Sequence, residues 1–68
     1  MSAGTILRDL RIKKGVSQGI VASDIGITKS SWAMYERGER VPRDEVKVKI
    51  AQYFNLSVQE IFFNHIEH

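Results

Sequence analysis

Sixty-eight residues, no cysteine and a net charge of only +2 set the first bounds: one compact domain, burying only about 60% of its unfolded surface. Without cysteine neither a disulfide nor a thiolate zinc site can staple it, so association with a second copy is the common remaining source of buried area. No stretch approaches the ~18 consecutive apolar residues of a membrane helix, so the expectation is a soluble, intracellular protein with no membrane partner.

The elements follow one another at short intervals. A first helix is predicted over Gly4–Lys14, with Ile6, Leu7 and Leu10 on one face, Lys13 and Lys14 in its last turn and Gly15 beyond its end. Ser17 caps a second over Gln18–Asp24, which turns Val21, Ala22 and Ile25 inward and stops at Gly26. Thr28 caps a third over Lys29–Arg37, with Trp32 and Tyr35 spaced i, i+3 for the core and Gly38 as its left-handed terminator. After a loop holding the only proline, Pro42, Asp44 is read as the cap of a fourth helix over Glu45–Phe54. Its buried stripe is Val46, Ile50, Tyr53 and Phe54, and Asn55 breaks it. Ser57 caps a fifth over Val58–Asn64. No strand signal, repeat or linker intervenes. The fold class is all-α, a bundle of five short helices in one domain over residues 1–68.

Charge is distributed unevenly. Residues 1–43 carry a net +4, and residues 44–68 a net −2. A basic front with a mildly acidic back suits a protein that offers one face to a polyanion. The second and third helices, joined by a tight turn around Gly26, have the form of a helix-turn-helix unit, whose second helix enters the DNA major groove.

The run LRIKKGVSQGIVASDIGITKSSWAMYERGERVP, followed by IAQYFNLSVQEIF, resembles the phage-repressor and Cro (Xre-type) DNA-binding domains. The resemblance rests on a combination: Lys-Gly-Val-Ser-Gln, Ala22 and Gly26, Tyr-Glu-Arg-Gly, Pro42, Ile50-Ala51 and Leu56-Ser57. It spans Ile6 to Phe62, nearly the whole chain. It implies a lambda-repressor-like bundle that regulates transcription, as a repressor bound to a palindromic operator in the cytoplasm and nucleoid.

Residue chemistry gives the same face its candidates. Gln18 opens the second helix, where its amide reaches either a phosphate or an adenine edge. The free N–H groups of that helix end suit a phosphate, and Gly19 lets a sugar-phosphate backbone come close. Thr28, Lys29, Ser30 and Ser31 crowd the start of the third helix, the end that points at base edges. Lys29 suits guanine, and the hydroxyls suit bases or phosphates. Met34 lies one turn on, facing either a thymine methyl or the protein. The resemblance implies backbone contacts from Arg37, Arg40 and Arg43, and a partly buried ion pair between Arg11 and Glu36.

Three positions depart from the family's pattern. Ile20 stands where an acid or amide would close a capping box on Ser17, and Gly19 costs its helix up to ~1 kcal/mol. Lys47 replaces a leucine, a loss that Val46 and Val48 are expected to make good. In the C-terminal segment, 57–68, Ile61 and Phe62 complete the core. Phe63 and Ile66 are surplus apolar surface and mark an expected homodimer interface, against the simpler reading of a tail folded on its own core.

An enzyme is not expected: the chain has no cysteine nucleophile, no glycine-rich phosphate loop and no carboxylate pair beside a histidine. Its two histidines, His65 and His68, sit together in the terminal segment and suit solvent better than a metal. Neither cofactor nor metal is expected. The competing reading is an antitoxin or adaptor that grips a protein partner through Ile20 and the apolar tail.

Overall fold

The computed structural model describes residues 2–63. Four α-helices, α1 (Ala3–Lys14), α2 (Gln18–Ile25), α3 (Lys29–Arg37) and α4 (Asp44–Phe54), are followed by one π-helical turn, Gln59–Phe63, and no strand occurs among the described residues. The all-α bundle expected from the sequence is therefore the fold.

Capping explains the boundaries. The hydroxyls of Ser2, Ser17 and Thr28 each accept the backbone N–H three residues on, satisfying donors that a helix start leaves free. At the other ends Gly15, Gly26, Gly38 and Asn55 all adopt left-handed backbone. The requirement bears hardest at Gly26, with φ 90°. Its N–H and that of Ile27 both close on the Ala22 carbonyl at 2.9 Å, so the chain reverses within three residues and brings α3 against α2.

The fourth helix starts one residue earlier than the sequence suggests. Arg43, not Asp44, is its N-cap and makes no side-chain capping bond. Pro42, buried beneath the loop, fixes where the chain enters the helix. Asp44 and Glu45 consequently lie in the first turn, where their charge favours the helix dipole.

The last element differs in kind. Instead of an α-helix over 58–64, the described chain makes a π-turn in which consecutive Ile61 and Phe62 both face the core. It begins with a reciprocal capping box: Ser57 Oγ accepts the Glu60 N–H and Glu60 Oε1 accepts the Ser57 N–H, both at 3.0 Å.

The core is one cluster built on Leu7, Val21, Trp32, Ile50 and Ile61, all fully buried. Phe54 lies 6.3 Å from the Trp32 ring, tilted 39°. The leucine-to-lysine departure on α4 is resolved by Lys47 itself, against expectation. Its side chain is only 15% exposed, and its ammonium lies 5.6 and 5.2 Å from the Phe62 and Phe63 rings. A lysine stem covers apolar surface while its charge meets ring faces, so it takes the leucine's place. Val46 is half-buried, whereas Val48 is exposed and contributes little.

Candidate nucleic-acid interface

At about 100° per residue, α3 divides lengthwise into two faces. Trp32, Tyr35 and Glu36 fall on one, and the first two are buried in the core. Ser30, Ala33, Met34 and Arg37 fall on the other, and Lys29, seven residues before Glu36, stands at the border between them as the first residue of the helix. Lys29, Ser30 and Arg37 are exposed, and Ala33 and Met34 are half-buried.

The inner face is fixed by a single carboxylate. Glu36, with its side chain 4% exposed, accepts hydrogen bonds from three elements of sequence. Arg11 of α1 donates from Nε at 2.6 Å and Nη2 at 3.4 Å, and Gln18 of α2 donates from Nε2 at 3.0 Å. The indole N–H of Trp32, one turn back on α3, donates as the third residue. Arg11 also donates from Nη1 to the Val16 carbonyl at 3.1 Å, reaching the loop between α1 and α2. Burial opposes ionisation of Glu36, but hydrogen bonds from Arg11, Gln18 and Trp32, with the charge of Arg11, outweigh it. The carboxyl therefore titrates below its ordinary value. The ion pair implied by the resemblance lies in the structure at the centre of a larger network.

That network narrows the chemistry of Gln18. An ionised carboxylate only accepts, so the amide nitrogen must face Glu36. One N–H is spent there. The remaining N–H and Oε1 together match an adenine edge, whereas a phosphate would use the N–H alone.

At the α3 start, Thr28 and Ser31 are tied to one another. Thr28 Oγ1 accepts the Ser31 N–H at 3.1 Å and donates its own proton to Ser31 Oγ at 3.0 Å. Lys29 and Ser30 make no side-chain hydrogen bond among the described residues. Gly19 lies beside this end of α3: a Cβ there would sit 4.0 Å from Lys29 Cδ and 3.9 Å from Ser17 Oγ, with room to spare.

The three arginines that follow differ from one another. Arg37 makes a two-pronged pair with Glu39, both bonds 3.0 Å. Arg43 lies 3.6 Å from Glu45. Arg40 is exposed and forms no ion pair among the described residues.

Ile20 is exposed on α2, as its place in the pattern suggests, and Phe63 is 41% exposed, with one face under the Lys47 ammonium. Ile66, His65 and His68 lie outside the described residues. Two positions escaped the sequence reading. Ala33 lies on the outward side of α3, one turn after Lys29 and one before Arg37, and its signal was the helical period itself. Gly4 carried no sequence signal beyond its composition. A Cβ there would stand 2.6 and 2.7 Å from the Glu36 and Tyr35 carbonyl oxygens, so only glycine lets α1 lie this close to α3.

Residues 2–61 match the family model described as a helix-turn-helix domain. Over 55 residues, 81% of the chain, the sequence is 33% identical to the cryptic phage CTXphi transcriptional repressor RstR of Vibrio cholerae; the match spans 50% of that protein's length. It is 28% identical to the HTH-type transcriptional regulator YgzD of Bacillus subtilis, covering 84% of the chain and 86% of the relative. With an HTH-type transcriptional regulatory protein of Thermococcus kodakarensis it shares 33% identity over 84% of the chain but only 18% of that protein. The chain thus corresponds to about half of the Vibrio repressor and to a small part of the archaeal protein. Among solved structures it resembles the P22 c2 repressor in complex with a synthetic operator, with a TM-score of 0.89 and 19% identity, covering 93% of this chain and 96% of that one. At that identity the likeness is one of fold.

Proposed function

The chain belongs to the helix-turn-helix domain family, in its phage-repressor form, and from that premise we propose that it is a transcriptional repressor that reads double-stranded DNA with α3 in the major groove. The observation that carries this reading is the division of α3. Its inner face is locked by Glu36, and its outer face presents Ser30, Ala33, Met34 and Arg37, with Lys29 exposed at the helix start, none of them with core duty. A helix held rigidly from behind and chemically varied in front is what base readout needs. The relatives named as transcriptional regulators, and the repressor solved with its operator, support the same reading.

In this proposal Lys29 and Ser30 contact base edges, with Gln18 at an adjacent adenine. Ala33 and Met34 meet thymine methyls, and the N-termini of α2 and α3, with Thr28 and Ser31 at the latter, face phosphates. Residues 1–68 act as one domain, in which the segment 57–68 joins two copies through Phe63 and Ile66. The pair presents two recognition helices about one DNA turn (~34 Å) apart to a palindromic operator.

The test is selection of binding sites from random duplex DNA, with affinities then measured across salt concentration. The expected result is a two-fold symmetric motif bound at least ~10³ tighter than non-specific DNA. Weak, salt-erased binding with no enriched motif would overturn the proposal. Sedimentation of Phe63→Lys reads the dimer separately, and an unchanged dimer mass would move the interface elsewhere.

A further inference from the structure

The segment that connects α3 to α4 reads as basic, with Arg37, Arg40 and Arg43 in seven residues. Its charge says otherwise. Glu39, Asp44 and Glu45 match the three arginines, so residues 37–45 carry no net charge. Two of the acids stand at the same offset, Arg37-x-Glu39 and Arg43-x-Glu45, on either side of Arg40.

From this arrangement we infer that Glu39 and Glu45 mask Arg37 and Arg43 from the DNA backbone, leaving Arg40 as the segment's open phosphate contact, with Glu39 setting the generic share of DNA affinity. The inference rests on the DNA-binding reading above and names a regulating residue within that site.

The geometry at Arg37 is the stronger case. Glu39 engages Nε and Nη2 together, the fork by which a guanidinium takes a phosphate, so one anion excludes the other. Both side chains are 56% exposed, and exposed pairs contribute little to folding. The pair is therefore of small use to the fold but stands in the path of a polyanion. The same mutual hydrogen bonding and charge lower the Glu39 carboxyl and raise the Arg37 guanidinium, so both stay ionised wherever DNA is bound. At Arg43 the carboxylate is more distant, at 3.6 Å through one nitrogen, and the mask is looser.

A bulk-charge effect would give Glu39→Gln the same gain whether or not Arg37 is present. Masking makes the gain depend on Arg37. The experiment is a double-mutant cycle on the full chain, with affinity for a random-sequence duplex measured between about 50 and 200 mM salt. Thermal melts of every variant confirm an intact fold. Glu39→Gln is expected to bind about two- to fivefold tighter and to steepen the log affinity–log salt slope by about 0.9, one phosphate contact. Arg37→Gln is expected to cancel that gain in the Glu39→Gln background, and to weaken the parent less than Arg40→Gln does. A Glu39→Gln gain of equal size on the Arg37→Gln background, or an unchanged slope, overturns the inference. A parent that fails to bind the duplex even at the lowest salt removes the DNA-binding reading and this inference with it, and shows in the parent before any variant is made.

Discussion

Replacing Glu36 by alanine is the sharpest perturbation this structure offers, because one carboxylate satisfies donors from three residues at once. Its loss strands the Trp32 indole N–H, which is fully buried, at about 1–3 kcal/mol. It also strands the Arg11 guanidinium, which is 16% exposed and keeps only the Val16 carbonyl. An unpaired charge that far from solvent brings the total to about 3–5 kcal/mol. For a chain of 68 residues the whole stability is on the order of 3–10 kcal/mol. The expected fall in Tm is at least about 12 °C, at roughly 4 °C per kcal/mol. The assay is urea and thermal unfolding followed by fluorescence of the single tryptophan, Trp32. Glu36→Gln keeps the shape and one acceptor, so it is expected to lose about 2 kcal/mol, less than the alanine variant. An alanine variant within about 1 kcal/mol of the parent would refute the reasoning, since a stranded buried charge together with a stranded buried N–H is expected to cost at least about 3 kcal/mol.

The remaining predictions can be read in the same melts. Because the Glu36 carboxyl titrates below its ordinary value of 4.5, its contribution is complete above that value and is lost as pH falls through the lower, folded-state value. The stability gap between parent and Glu36→Gln should close on acidification and stay flat from pH 5 to 7; a gap that widens in acid contradicts the sign. Gly4→Ala should destabilise by about 1–3 kcal/mol despite alanine's better helix propensity, because the added Cβ meets two α3 carbonyls at 2.6 and 2.7 Å. Gly19→Ala should do the opposite and stabilise by up to about 1 kcal/mol, its Cβ meeting nothing closer than 3.9 Å; a fall in DNA affinity for the same variant would locate a backbone approach at Gly19. Lys47→Ser should cost about 1 kcal/mol or more by uncovering Phe62 and Phe63, where a surface lysine would cost nearly nothing.

What could be read in the sequence depended on how local its cause was. The bounds of α3 follow from Thr28 and Gly38, each sufficient on its own, and the structure has the same residues at its ends. The partnership of Arg11 with Glu36 came from the resemblance alone, because nothing in spacing couples residues 25 apart. That Gln18 joins them is a tertiary fact, invisible until α2 is laid across α3. The Arg37–Glu39 pair was hidden for a subtler reason. Residues i and i+2 do not face each other on a helix, but Glu39 lies beyond the end of α3, where left-handed Gly38 turns the chain back. Lys47 and the π-turn were misjudged together: a lysine reads as surface until two phenylalanines are seen under its ammonium.

The two faces of α3 imply different tolerances to change. A substitution at Lys29, Ser30, Ala33 or Met34 alters what the helix offers outward and touches no buried donor, so under the proposed function it is expected to change DNA preference at little cost in stability. A substitution at Glu36 releases α1, α2 and α3 from one another and loosens Gln18, the residue that carries the network to the outer surface. Affinity losses at the outer positions should therefore appear without a shift in Tm. At Glu36 the two should fall together, and a Glu36→Gln variant that keeps full affinity while losing stability would show that Gln18 reaches its contact unaided.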